Sequence, residues 1–303
     1  MSTTLEPARA WLADQIRSRV VGDNPHEKAM QIFEAPGERW FADGSTIRLV
    51  HADASMFIGG LRALLMQSLH PLAMAGVAQH SDYRADPWGR LQRTADFMAI
   101  TTFGTAEMAE AAVRRVQRVH RRVVGVASDG RPYDASDPHL LHWVHLAETD
   151  SFLAAYQRYG RRRLSAQQID EYLDQSAVVA VELGVQQPPR SAAVLRAQLR
   201  EFRPELRGTR EARDAARFLL VEPPLPLAAR PAYLGLAAAA VALMPAWTRW
   251  PLRLPLLPLS ERFLVQPTGS AVTGLIRWSL AGSRAAATAS NEPGPRRTTH
   301  AAR

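Results

Sequence analysis

Apolar residues recur at about 3.6-residue spacing in segment after segment of this chain, while alternating runs of β-branched residues are almost absent, so an all-α fold is expected. The expected helices cover Glu6–Val20, Ala54–Leu69, Pro71–Gln79, Pro87–Phe103, Thr105–Val124, Pro138–Tyr159, Ala166–Leu183 and Ser191–Phe202. Local signals support these limits. Ser136-Asp137-Pro138 puts a cap and an N1-type proline before one helix, and Ser165 with Gln168 three residues on has the form of a capping box. The segment Gly125–Pro138, with Asp129-Gly130 and Pro132, reads as a long loop between two core helices.

At 303 residues the chain is near the size at which a single core stops growing, so residues 1–260 are expected to form one large helical domain with a proline-rich C-terminal extension. Eight of the 21 prolines lie in Glu222–Ser260. They surround Ala232–Met244, an apolar run too short to span a bilayer. It is expected to be a helix packed on the core, with peripheral membrane contact, shared with Trp247 and Trp250, as the other use of such a run. Residues 281–303 are small, polar and basic, and are expected to form a disordered tail.

Composition removes several function classes. With no cysteine there is no disulfide, no thiolate catalysis and no thiolate-held haem or zinc. The net charge of +8 would suit nucleic acid or an anionic surface, but the densest arginine runs, Arg114 to Arg122 and Arg161 to Arg163, lack interleaved aromatics for base stacking. They read as solvated faces, and no nucleic-acid partner is expected. Met1–Asp14 lacks an apolar stretch of signal-peptide length, so a cytoplasmic setting is expected. There is no phosphate-binding glycine loop, no nucleophile elbow, no zincin motif and no EF-hand.

Ionisable residues on apolar helix faces carry the remaining information. His120 falls in the stripe Ala109, Val113, Val116, Val123, where a core histidine bonded to a backbone carbonyl is the simpler account and a neutral haem ligand the other. Arg90 and Thr94 lie one turn apart, either as a surface pair or as a fixed cation and hydroxyl at a cavity. His142, His145 and Glu148 follow at three-residue steps, a spacing open to a non-haem metal but matching neither the zincin nor the di-iron pattern. His70, before Pro71, either ends its helix or reaches the same cavity, His80 ends an apolar helix and is expected to be exposed, and His26, His51 and His139 have no compelling context.

These residues sit in segments with a familiar look: His70-Pro71, Asp86-Pro87-Trp88-Gly89-Arg90-Leu91-Gln92-Arg93-Thr94, Thr101-Thr102-Phe103-Gly104, Val113 to His120, Asp129 to Tyr133, and Trp143-Val144-His145. Together, from about Arg39 to Trp250, the chain resembles the catalytic domain shared by MpaB-type oxygenases and the rubber oxygenase called latex-clearing protein. The resemblance implies a globin-like helical core, haem b, and oxygen-dependent attack on a carbon–carbon double bond of a small apolar or isoprenoid substrate. It implies His120 as the iron ligand, Arg90 and Thr94 as the pair beside the oxygen, and, less directly, His145 and His70 as cofactor contacts. A carboxylate base is implied near Leu72–Gln79, where this chain has neither Asp nor Glu. A haem-binding sensor without turnover, and a non-haem metal protein using His142, His145 and Glu148, are the alternatives.

Overall fold

The computed structural model describes residues 6–22, 24–81 and 83–290. Its helices are α1 (Glu6–Val20), α2 (Pro25–Phe33), α3 (Thr46–His51), α4 (Met56–Gln67), α5 (Pro71–His80), α6 (Pro87–Phe103) and α7 (Ala106–His120). A hairpin of β1 (Val124–Val126) and β2 (Pro132–Asp134) follows, then α8 (Pro138–Tyr159), α9 (Ala166–Leu183), α10 (Ala192–Phe202), α11 (Arg210–Val221) and α12 (Arg230–Ala242). The described residues end in the short turns α13 (Ala246–Arg249) and α14 (Pro258–Ser260), a π turn over Glu261–Val265, and α15 (Gln266–Ser290). The all-α class is as expected. Helix α15 runs into the stretch expected as a tail, and the rest of that stretch lies outside the described residues.

Capping chemistry sets the helix starts. The Asp137 carboxylate accepts from the His139 backbone N–H at 2.9 Å, and Ser165 and Gln168 form the full reciprocal box. The expected helix Thr105–Val124 is too long. It stops at His120, because Val124–Val126 pairs antiparallel with Pro132–Asp134 and β-branched residues favour that extended geometry. The expected loop Gly125–Pro138 is therefore half hairpin, turning at Gly130 with φ +85°. Gln79 and Tyr133 dock the hairpin on α5, the Tyr133 hydroxyl donating to Gln79 Oε1 at 2.7 Å.

The centre of the molecule is the pair α4 and α8. Gly59 lets them approach: a Cβ there would meet Phe152 Cδ1 at 2.9 Å and its Cα at 3.2 Å. Around the pair lie Ile47, Val50, Leu65, Met66, Leu69, Trp143 and Leu146, each with essentially no exposed surface. The Arg62 guanidinium is buried between α4, α8 and α12, donating to Asp150 at 2.6 Å, Ser151 at 2.7 Å and the Leu243 carbonyl at 3.0 Å. Such a charge is tolerated inside only because its donors are matched. Helix α12, the core of the expected apolar run, buries Leu236, Ala237, Ala239, Ala240 and Val241 against α4 and α15. No helix among the described residues is long and apolar enough to cross a membrane.

Candidate functional site

Helix α8 presents Leu141, His145, Glu148 and Phe152 at steps of four, three and four, which is one face of an α-helix. That face borders α3 and α9, which α6 and α7 flank in turn. At its inner end His51, the last residue of α3, meets Phe152 edge-on at 5.5 Å and Tyr172 of α9 at 5.8 Å. Its Nδ1 hydrogen-bonds Thr102 Oγ1 at 2.8 Å and its Nε2 the Tyr172 hydroxyl at 3.3 Å. Burial lowers the His51 pKa to about 3, so the ring is neutral, with one nitrogen donating and the other accepting.

One helical step along, His145 contacts Thr149 Oγ1 through Nδ1 at 3.4 Å, while its buried Nε2 has no partner among the described residues. Burial, with a smaller contribution from the charge of His142, lowers its pKa to about 3. Glu148 takes no hydrogen bond from the described residues, and burial alone raises its pKa to about 7. Burial, together with nearby Glu148, also pushes the Tyr172 phenol up. His51, His145 and Glu148 lie deep in the fold, each with part of its surface still accessible.

His120 closes α7 at the outer end of the same face. Its half-buried ring shares a pocket of about 260 Å³ with Gln117, Arg121, Ser136, Leu141 and Leu183, and Leu141 lies one turn before His145. Burial lowers the His120 pKa, partly opposed by Asp134, and no described side chain hydrogen-bonds the ring. A neutral imidazole with free nitrogens is what iron requires of a histidine ligand.

The other expected residues are placed differently. Arg90 is half-buried and donates through Nη1 to Ser81 Oγ at 2.7 Å, and burial lowers its pKa. Thr94 is exposed, its hydroxyl donating to the Arg90 carbonyl at 3.0 Å. Neither residue has a hydrogen bond to the α8 face. His142 turns to α10, bonding Gln198 Oε1 at 3.2 Å, so His142, His145 and Glu148 do not converge on one point. Their three-residue steps rotate successive side chains by about 60° around the helix, enough to part the first from the last. His70 belongs to a third neighbourhood with His139 and Glu205, the one His/Glu group among the described residues whose donor atoms come within ligand range of one another.

His51 is the residue that sequence reading passed over. It follows Ile47 by four positions and Val50 by one, so the test that singled out His120, an ionisable group in an apolar stripe, also fits it. The fold and the α8 face describe a helical domain with buried, neutral histidines and one carboxyl group held near neutrality. A family model described as the ER-bound oxygenase mpaB/B'/rubber oxygenase catalytic domain matches residues 48–278, and the chain belongs to that family. No curated relative and no solved structure matches the chain.

Proposed function

We propose that the protein is a haem-dependent oxygenase acting on an apolar or isoprenoid alkene, with its site along the α8 face between His120 and His51. The observation that carries this reading is the juxtaposition, on one face, of neutral histidines with unpartnered ring nitrogens and a Glu148 carboxyl with a pKa near 7, inside an oxygenase catalytic domain. Haem would supply the oxygen chemistry. His120 would hold the iron, as its neutral ring and free nitrogens allow. Glu148 fits the proton acceptor, because a group with a pKa near the working pH both takes and returns a proton. Phe152 gives the inner end an apolar wall, and His51, Thr102 and Tyr172 fix that wall by hydrogen bonds and ring contacts. Arg90, held by Ser81, would supply a fixed cation toward a propionate or oxygen, while the Thr94 hydroxyl stays on the Arg90 carbonyl.

Oxygen uptake by haem-loaded protein, with and without an isoprenoid alkene, tests this reading. Alkene-dependent uptake that is lost in Glu148→Gln supports it. Loaded protein that binds oxygen but consumes none with any alkene offered contradicts it.

A peripheral membrane contact also belongs to the proposal. Within residues 250–264, Trp250 is 86% exposed, Leu259 74%, Phe263 65% and Leu264 67%, interspersed with Arg253 and Arg262. Exposed Trp, Phe and Leu among arginines suit the headgroup region of an anionic bilayer. An apolar substrate would be met there.

A further inference from the structure

We propose that His70, His139 and Glu205 form a binding site for a divalent transition-metal ion of the zinc class, separate from the α8 face. The three residues come from three places: the turn before α5, the first turn of α8, and the 3-10 turn Arg203–Glu205 that follows α10. Their donor atoms all lie within 4.8 Å of one another. His70 Nε2 is 3.3 Å from Glu205 Oε2, and His139 Nε2 is 2.8 Å from the same oxygen and 3.0 Å from Oε1. A tetrahedral ion with bonds of about 2.0–2.2 Å spaces its ligands roughly 3.3–3.6 Å apart, so small side-chain adjustments of Glu205 and the two rings would open the place it needs.

Two imidazoles and a carboxylate, with one position left open, are a donor set that zinc accepts. The rings are held before any ion arrives. His139 stacks on Phe202 at 4.6 Å and 25°, and His70 packs at 6.4 Å against Phe202 and 6.5 Å against Trp143. His70 is buried, whereas the side chains of His139 and Glu205 are 51% and 38% exposed, so an ion reaches the site from solvent. The cation whose field reaches both His70 and Glu205 is Arg131, and Asp129 pairs with it at 2.7 Å. Ligation through His70 Nε2 leaves the ring proton on Nδ1, which is buried without a partner, and this weakens the site relative to one with a second-shell acceptor.

The test is calorimetric titration of the haem-loaded, chelator-treated full chain with zinc, with the haem absorption followed in parallel and melting measured with and without zinc. One ion per chain is expected, with unchanged haem absorption and a raised Tm. His139→Ala and Glu205→Gln should each weaken binding by about tenfold or more. They should also abolish the zinc-dependent Tm rise, while His142→Ala changes neither. No zinc binding by the wild type, binding unaffected by either variant, or binding that alters the haem absorption would each overturn the proposal. If the variants lower Tm equally with and without zinc while the wild type takes up no ion, the three residues are a hydrogen-bonded corner and no more.

Discussion

Glu148 concentrates the chemistry of the α8 face in one carboxyl group. Its folded-state pKa of about 7 lies above the ordinary 4.5, so the protonated form is the one the fold favours. The stability it contributes is fully present below pH 4.5 and is lost as pH rises through 7. Glu148→Gln, which cannot ionise, should therefore gain on the wild type by on the order of 3 kcal/mol between pH 4 and pH 8, measured by urea unfolding at each pH. The same variant should lower kcat for oxygen uptake by about 10²–10⁴ with little change in KM. His51 and His145 act with the opposite sign. Their pKa values are held near 3, below the ordinary 6.5, so the stability they contribute is present above pH 6.5 and is lost as pH falls toward 3. Between 7 and 4.5 the Glu148 term partly offsets them; below 4.5 it no longer grows. Unfolding free energy should fall most steeply below pH 4.5, and His51→Gln should flatten that fall. An unchanged acid limb in His51→Gln would show that its ring is not held neutral by the fold.

At the scale of elements, the seam depends on how closely α4 and α8 approach. Gly59→Ala puts a methyl against the Phe152 backbone, which is less able to yield than a side-chain end. The variant should lose about 1–3 kcal/mol of stability from overpacking, against up to ~1 returned by alanine's helix propensity. Urea unfolding reads the net loss, and because Phe152 carries the edge contact to His51, oxygen-uptake activity should fall with it. Much of this level was legible in advance. Asp137-Pro138 and Ser165 to Gln168 mark helix starts because caps are local chemistry, and the His145–Glu148 step follows from helix geometry alone. The hairpin was not legible, since Val123-Val124 continues the apolar stripe of α7 until pairing with Pro132–Asp134 draws it away. Spacing puts Arg90 and Thr94 one turn apart on α6, but it cannot say that Thr94 spends its hydroxyl on its own helix. The corner of His70, His139 and Glu205 was invisible for a different reason: His139 and His70 are 66 and 135 positions from Glu205, and the three meet through the packing of α5 and α10 on α8.

Across the whole molecule, two features of different character stand out: a seam along α8 lined by neutral histidines, and a C-terminal segment that leaves tryptophan, phenylalanine and leucine in solvent. If residues 250–264 meet lipid, the chain should co-sediment with vesicles rich in anionic lipid. Replacing Trp250, Phe263 and Leu264 together by Ser should reduce that binding by about tenfold or more, at unchanged Tm, because these side chains contribute nothing to the core. Vesicle binding that survives the triple change would assign the contact to another face. The central claim is that iron is held at the outer end of the α8 face, and one absorption measurement tests it most directly. Protein from cells supplied with haem precursor should show a Soret band that His120→Ala abolishes and His145→Ala retains, with both variants folded by circular dichroism. A band that persists in His120→Ala, or well-folded wild type with no band under full haem supply, would contradict it.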